Sequence, residues 1–163
     1  MSTNQEEPTR ARILILDDDE IVLTPLKTFL EMETDYEVVT FMSAHKALEY
    51  VKQNRVDLVI SDYLMDEMDG ISFLANVKKI DPQITRIILT GYADKENAIK
   101  AINDVGLYQY VEKPWDNDNL RIVLRNGLEK QKLMRELEKK VLEIQKAYGD
   151  LESLHREILK AFA

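Results

Sequence analysis

The chain has no cysteine, which removes disulfides, thiolate metal sites and thiol nucleophiles from consideration. Histidine is scarce, with His45 and His155 alone, so a histidine-built metal centre has too few ligands. No apolar run approaches the roughly 18 residues needed to cross a bilayer, and the opening MSTNQEEPTR does not resemble a signal peptide. No membrane association is expected, and a cytoplasmic location is. Basic residues are outnumbered 22 to 30, giving a net charge of -8. Direct nucleic-acid binding, which needs a cationic footprint, is therefore not expected of this segment. Repeats and low-complexity blocks are absent. What remains is a chain of 163 residues, 45% of them hydrophobic, enough for one core and a helical appendage.

Residues 12–16 (RILIL), 56–60 (VDLVI) and 86–89 (RIIL) are short aliphatic runs followed at once by polar residues. Strands buried on both faces have this character. Residues 36–41 (YEVVTF) and 107–112 (LYQYVE) are β-branched and aromatic with more polar interruptions, which suits positions nearer a sheet edge. Between these five strands, spacings such as Ala44, Ala47, Leu48 and Val51, or Ile71, Leu74, Ala75 and Val77, are helical. Ser43 and Asp94 are candidate N-caps, and Pro25 falls within the first helical segment. The alternation predicts an α/β fold, a five-stranded parallel sheet covered by helices through right-handed crossovers.

In an open parallel sheet, residues just after the strands converge on one crevice. Here they are Asp17, Asp18 and Asp19 after the first run, Ser61 and Asp62 after the third, Thr90 and Gly91 after the fourth, and Lys113 and Pro114 after the fifth. An aspartate after a strand is ordinarily a helix cap or turn residue, and Asp19 fits that role; four such groups at separate strand ends do not. Carboxylates about 5 Å apart repel by about 3 kcal/mol at an effective dielectric of about 20, so Asp17, Asp18 and Asp62 call for a cation. Oxygen ligands without histidine or cysteine favour Mg²⁺ or Mn²⁺ over zinc. Asp62 then serves as a nucleophile in phosphoryl transfer, with Lys113 and the Thr90 hydroxyl binding oxygens of the product.

ILILDDDE, LVISDYLMDEMDG, IILTGYAD and YVEKPWD resemble the motifs of two-component response-regulator receiver domains, over about residues 10 to 128. The resemblance implies a flavodoxin-like sheet in the order 2-1-3-4-5. It makes Asp17 and Asp18 the acidic metal-binding pair, Asp62 the phosphoacceptor and the Tyr63 backbone carbonyl a further metal ligand. Thr90 becomes the switch hydroxyl, Tyr110 the switch aromatic and Lys113 the phosphate-binding lysine. A sensor histidine kinase or phosphotransfer protein is the implied partner, and the surface of residues 94 to 121 the implied readout. Lys113–Pro114 resembles the family's cis peptide. Gly91 keeps space open beside Thr90, and Gly70 serves the turn that opens the next helix. Asp66 departs from the pattern by standing where the family usually has proline, which puts loop rigidity and local charge in question. Leu64 and Tyr92, two residues beyond Asp62 and Thr90, are bulky and are expected to hinder water and prolong the phosphorylated state.

From Asp116 onward no strand signal remains, and a long helix is expected, with Gly127 and Gly149 as potential bends. Met134, Leu137, Val141, Ile144, Tyr148, Leu151, His155, Ile158 and Phe162 follow alternating steps of three and four. Such a seam predicts a coiled coil of about four heptads and a homodimer. The expected organisation is a flexible tail over 1–10, a receiver domain over 11–128 and a dimerisation and signalling helix over 129–163. The helix is expected to lead to an output domain that this sequence lacks; the KPWD variant resembles receivers attached to HD-GYP phosphodiesterases or AAA+ activators. Two other readings compete. A haloacid-dehalogenase-type phosphohydrolase would use Asp17 as nucleophile and Asp19 as acid, and a pseudo-receiver would only dimerise.

Overall fold

The structure is a computed structural model, and it describes residues 9–162, with the side chain of Tyr92 excepted. Residues 1–8 of the expected tail lie outside that range. Five strands, β1 (Arg12–Leu16), β2 (Glu37–Phe41), β3 (Leu58–Asp62), β4 (Thr85–Thr90) and β5 (Gln109–Glu112), form one parallel sheet in the order β2-β1-β3-β4-β5. Helices α1 (Glu20–Glu33), α2 (Ala44–Gln53), α3 (Gly70–Ile80), α4 (Lys95–Asp104) and α5 (Asn117–Ala161) alternate with them. This is the expected flavodoxin-like α/β architecture.

The aliphatic runs are explained by two cores, because successive strand side chains point to opposite faces. Ile13 and Ile15 of β1, with Leu58 and Ile60 of β3, join Leu23, Leu26 and Leu30 of α1 and Leu120, Val123 and Leu124 of α5. Leu14, Leu16 and Val59 instead pack with Ala47 and Val51 of α2, Phe73, Leu74 and Val77 of α3, and Ala98 and Ala101 of α4. A one-residue slip in register would exchange these sets, so the sheet has one stable alignment.

Several boundaries differ from expectation. β3 begins at Leu58, since the preceding Asp57 turns its carboxylate into a buried polar cluster, and its ladder with β4 extends to Asp62 paired with Leu89. Asp62 is thus the last rung of the strand rather than a residue beyond it. Ser43 caps α2 by accepting from the Lys46 N–H, but Asp94 makes no side-chain cap bond. A 3-10 turn over Tyr92–Asp94, closed by the Asp94 N–H on the Gly91 carbonyl, leads into α4 instead. Pro25 lies inside α1, which continues through it.

Helix α5 is also continuous through Gly127 and Gly149. Gly127 is not a bend but a close-packing point: a Cβ there would lie 3.0 Å from Thr85 Cγ2, and its carbonyl accepts from the Thr85 hydroxyl at 2.8 Å. The chain divides into two compact units, the first ending at Gln131 and the second beginning at Lys132. In the second, Leu137, Val141, Ile144, Tyr148, Leu151 and Ile158 are all exposed, as is Met134 at 48%.

Candidate functional site

The strand ends deliver the expected residues to one place. Ligand oxygens of Asp17, Asp18 and Asp62 all lie within 4.8 Å of one another, and no other such acidic, histidine or cysteine group is found among the described residues. Lys113 arrives from the end of β5, where its N–H donates to the Thr90 carbonyl and its bond to Pro114 is cis. Its Nζ donates to Asp62 Oδ1 at 2.7 Å and stands 3.6 Å from Asp17 Oδ2. Three carboxylates against one ammonium leave negative charge uncompensated within this small volume.

Burial sharpens the imbalance. Asp17 is fully buried; its Oδ1 accepts from the Asp19 N–H at 2.9 Å, while its Oδ2 has no hydrogen-bond partner. Burial pushes the Asp17 carboxyl above its ordinary value of 3.8, and the neighbouring Asp62 and Asp18 add to this against the Asp19 N–H and Lys113. An orphaned buried carboxylate oxygen facing two further carboxylates fits a hard divalent cation such as Mg²⁺. Lys113 alone does not complete the site, because its hydrogen bond goes to Asp62.

Protonation of Asp17 favours the folded state when no metal is bound, because the folded-state affinity for the proton exceeds the unfolded one. Metal-free stability should therefore fall as pH rises from 3.8 toward the raised value. Thermal melting is expected to show that slope in wild type and to lose it in Asp17→Asn. Mg²⁺ should raise the melting temperature of wild type at neutral pH and have little effect on Asp17→Asn.

Asp19 is spent elsewhere. Its Oδ1 accepts from the Ile21 N–H as the N-cap of α1, so it is not presented as an acid beside Asp17. Asp17 also has no exposed surface for an incoming substrate, whereas Asp62 is partly exposed. The phosphohydrolase assignment thus loses both its groups.

Thr90 is buried at the end of β4, its hydroxyl donating to the Gly91 carbonyl at 3.2 Å, and nothing lies within 4 Å of where a Gly91 Cβ would be. Tyr63 is held by its N–H to the Leu89 carbonyl, and its own carbonyl accepts from the Gly70 N–H at 2.9 Å, leaving a second lone pair. Tyr110 is half-buried on β5 with Lys95 of α4 5.9 Å from its ring centroid; Lys95 also pairs with Glu112 at 3.6 Å. Leu64 is 62% exposed, and Asp66 is exposed as well. The Tyr92 side chain lies outside the described part.

Three features escaped the sequence. Gly70 is needed for space rather than for its backbone freedom, the Asp66 N–H reaches Asp18 Oδ2 at 3.3 Å, and Glu67 binds the start of α2. Gly70, Asp66 and Glu67 lie within LVISDYLMDEMDG, but only the fold shows what they touch.

Comparison with known proteins shows the family. Residues 13–125 match the family model of the response regulator receiver domain. The chain is 33% identical over 135 residues to the hydrogenase transcriptional regulatory protein HoxA of Cupriavidus necator, covering 83% of this chain and 28% of that protein. It is 39% identical over 116 residues to the transcriptional regulatory protein ZraR of Escherichia coli K12, covering 71% and 26% respectively. The chain thus spans less than a third of the length of these relatives. Among solved structures, the signal receiver domain of an HD domain-containing protein from Pseudomonas fluorescens superposes with a TM-score of 0.75. That pair is 38% identical, over 82% of this chain and 98% of the other. NtrX from Brucella abortus superposes with a TM-score of 0.73 at 30% identity, over 79% of this chain and 29% of that one. The chain belongs to the receiver-domain family of two-component response regulators.

Proposed function

We propose that Asp62 accepts a phosphoryl group from a phosphohistidine on a sensor histidine kinase or phosphotransfer protein, and that Mg²⁺ or Mn²⁺ is held by Asp17, Asp18, Asp62 and the Tyr63 carbonyl. The observation that carries this reading is the paired geometry of Asp62, 2.7 Å from Lys113 Nζ and grouped with Asp17 and Asp18 within 4.8 Å. A carboxylate oxygen of Asp62 attacks phosphorus. A new P–O bond forms as the P–N bond breaks, and its electron pair returns to the imidazole nitrogen. The divalent ion, when bound, neutralises charge on the phosphoryl oxygens. Lys113 transfers its hydrogen bond from Asp62 to a phosphoryl oxygen, and the Thr90 hydroxyl leaves the Gly91 carbonyl to donate to another. Leu64 and Tyr92 restrict the approach of water to the acyl phosphate and prolong its life.

Movement of Thr90 leaves room for Tyr110, and the surface of residues 94–121 repacks as a two-state element biased by the new charge. The receiver, over 11–128, passes this change to the helix over 129–163. That helix joins a second copy through Met134, Leu137, Val141, Ile144, Tyr148, Leu151 and Ile158, whose exposed stripe has coiled-coil spacing. Its effect falls on an output domain of a cytoplasmic regulator, a reading supported by the greater length of the transcriptional regulators to which the chain is similar.

Ile144→Glu places a charge in the middle of this seam and should convert a dimer to monomer in sedimentation equilibrium, with little effect on receiver stability. The acyl-phosphate assignment is tested by treating the protein with Mg²⁺ and acetyl phosphate, then with hydroxylamine. The phosphoryl mass should be lost as inorganic phosphate and replaced by the smaller increment of a hydroxamate, because hydroxylamine attacks the acyl carbon; retention, as for a phosphate ester of serine or threonine, would rule out Asp62.

A further inference from the structure

The loop between β3 and α3 makes two contacts that the proposed phosphoryl transfer does not use. The backbone N–H of Asp66 donates to Asp18 Oδ2 at 3.3 Å. Its neighbour Glu67 is fixed to the beginning of α2: one carboxylate oxygen accepts from the His45 backbone N–H at 3.2 Å and from the Ser43 hydroxyl at 3.3 Å, and lies 3.2 Å from His45 Nε2. Adjacent residues thus tie the loop to a site carboxylate on one side and to a helix terminus on the other.

The three clustered carboxylates differ in how they are restrained. Asp17 is buried and takes the Asp19 N–H, and Asp62 takes the Lys113 ammonium. Asp18 is exposed, and the Asp66 N–H donates to its Oδ2. An exposed aspartate must lose rotamer freedom when it ligates an ion, and a hydrogen bond made beforehand removes part of that loss. With Oδ2 engaged by the amide, the carboxylate is oriented in the metal-free protein.

We infer that the Asp66 backbone amide is a positioning group for Asp18, presetting this carboxylate for the divalent ion, while Glu67 holds the loop so that the amide points at it. The inference rests on the metal-binding reading of the proposed function. It assigns the role to the Asp66 main chain, so the Asp66 side chain is dispensable.

Proline removes the N–H and alanine keeps it. In calorimetric Mg²⁺ titrations of the whole chain, Asp66→Pro should bind between about two- and tenfold more weakly than wild type, the range of the ordering cost of one side chain. Asp66→Ala should stay within about twofold of wild type. Both variants should keep a cooperative metal-free melting transition, so that the affinities are compared on folded protein. A second measurement does not require the proline variant: by NMR of the metal-free protein, Asp18→Ala should accelerate solvent exchange of the Asp66 amide hydrogen. Equal Mg²⁺ affinity in wild type and Asp66→Pro, an equal loss in the proline and alanine variants, or unchanged amide exchange in Asp18→Ala would overturn this inference alone. A wild type that does not bind Mg²⁺ would overturn the metal-binding reading with it.

Discussion

Gly70→Ala is expected to slow phosphorylation of Asp62 by more than about tenfold and to destabilise the fold by about 1–3 kcal/mol. The added Cβ would overlap the carbonyl oxygen of Asp62 and stand 2.9 Å from its carbonyl carbon and 3.1 Å from the Tyr63 Cα. All three neighbours are backbone, so no rotamer change relieves the overlap. Gly70 is not among the positive-φ residues, hence alanine meets no conformational objection, only a steric one. Either the first turn of α3 retreats, stretching the Gly70 N–H bond to the Tyr63 carbonyl, or the end of β3 moves. Movement of β3 displaces Asp62 from Lys113 and shifts the Tyr63 carbonyl. Urea unfolding measures the first effect and phosphorylation by acetyl phosphate the second; wild-type behaviour in both would refute the close approach.

The second large effect is at the opposite end of β3 and should leave phosphorylation intact. Asp57, 1% exposed, accepts from the Arg12 N–H at 2.8 Å, from two Arg55 guanidinium nitrogens at 3.2 Å and from the Gln131 side-chain amide at 3.3 Å. Gln131 is itself 5% exposed. Asp57→Ala strips one acceptor from several donors, two of them buried or partly buried, and should cost about 2–4 kcal/mol in urea unfolding. Gln131→Leu removes one donor and leaves the carboxylate with its other partners, so its loss should be smaller. A destabilisation below that of Gln131→Leu would mean that the Asp57 cluster contributes little.

The contrast between these two positions explains what could be read from sequence. Asp17, Asp18, Asp62 and Thr90 are legible because they follow aliphatic runs, and Lys113 because it directly follows the fifth strand segment LYQYVE, since parallel strands bring their carboxyl ends together. The fold was legible for the same reason: RILIL is apolar throughout because Ile13 and Ile15 face one core and Leu14 and Leu16 the other. Asp57 sits inside the aliphatic run VDLVI, and nothing local in the sequence indicates that Gln131, far along the chain, will meet it. Gly127 reads as a potential bend in the sequence, because its contacts with Thr85, Tyr108 and Leu58 arise only after α5 docks on the sheet. Asp94 had the right residue type for a cap, but the 3-10 turn preceding α4 took its place. Local signals encode local structure well; contacts between distant polar groups leave no periodic trace.

The central claim concerns which carboxylate becomes covalently modified. Intact mass spectrometry after incubation with Mg²⁺ and acetyl phosphate answers it when wild type, Asp62→Asn and Asp17→Asn are compared. One added phosphoryl group is expected in wild type, none in Asp62→Asn, and a reduced fraction in Asp17→Asn, where the metal site is impaired and the acceptor is intact. A phosphoryl group retained in Asp62→Asn, or catalytic release of phosphate that depends on Asp17 instead, would contradict the account.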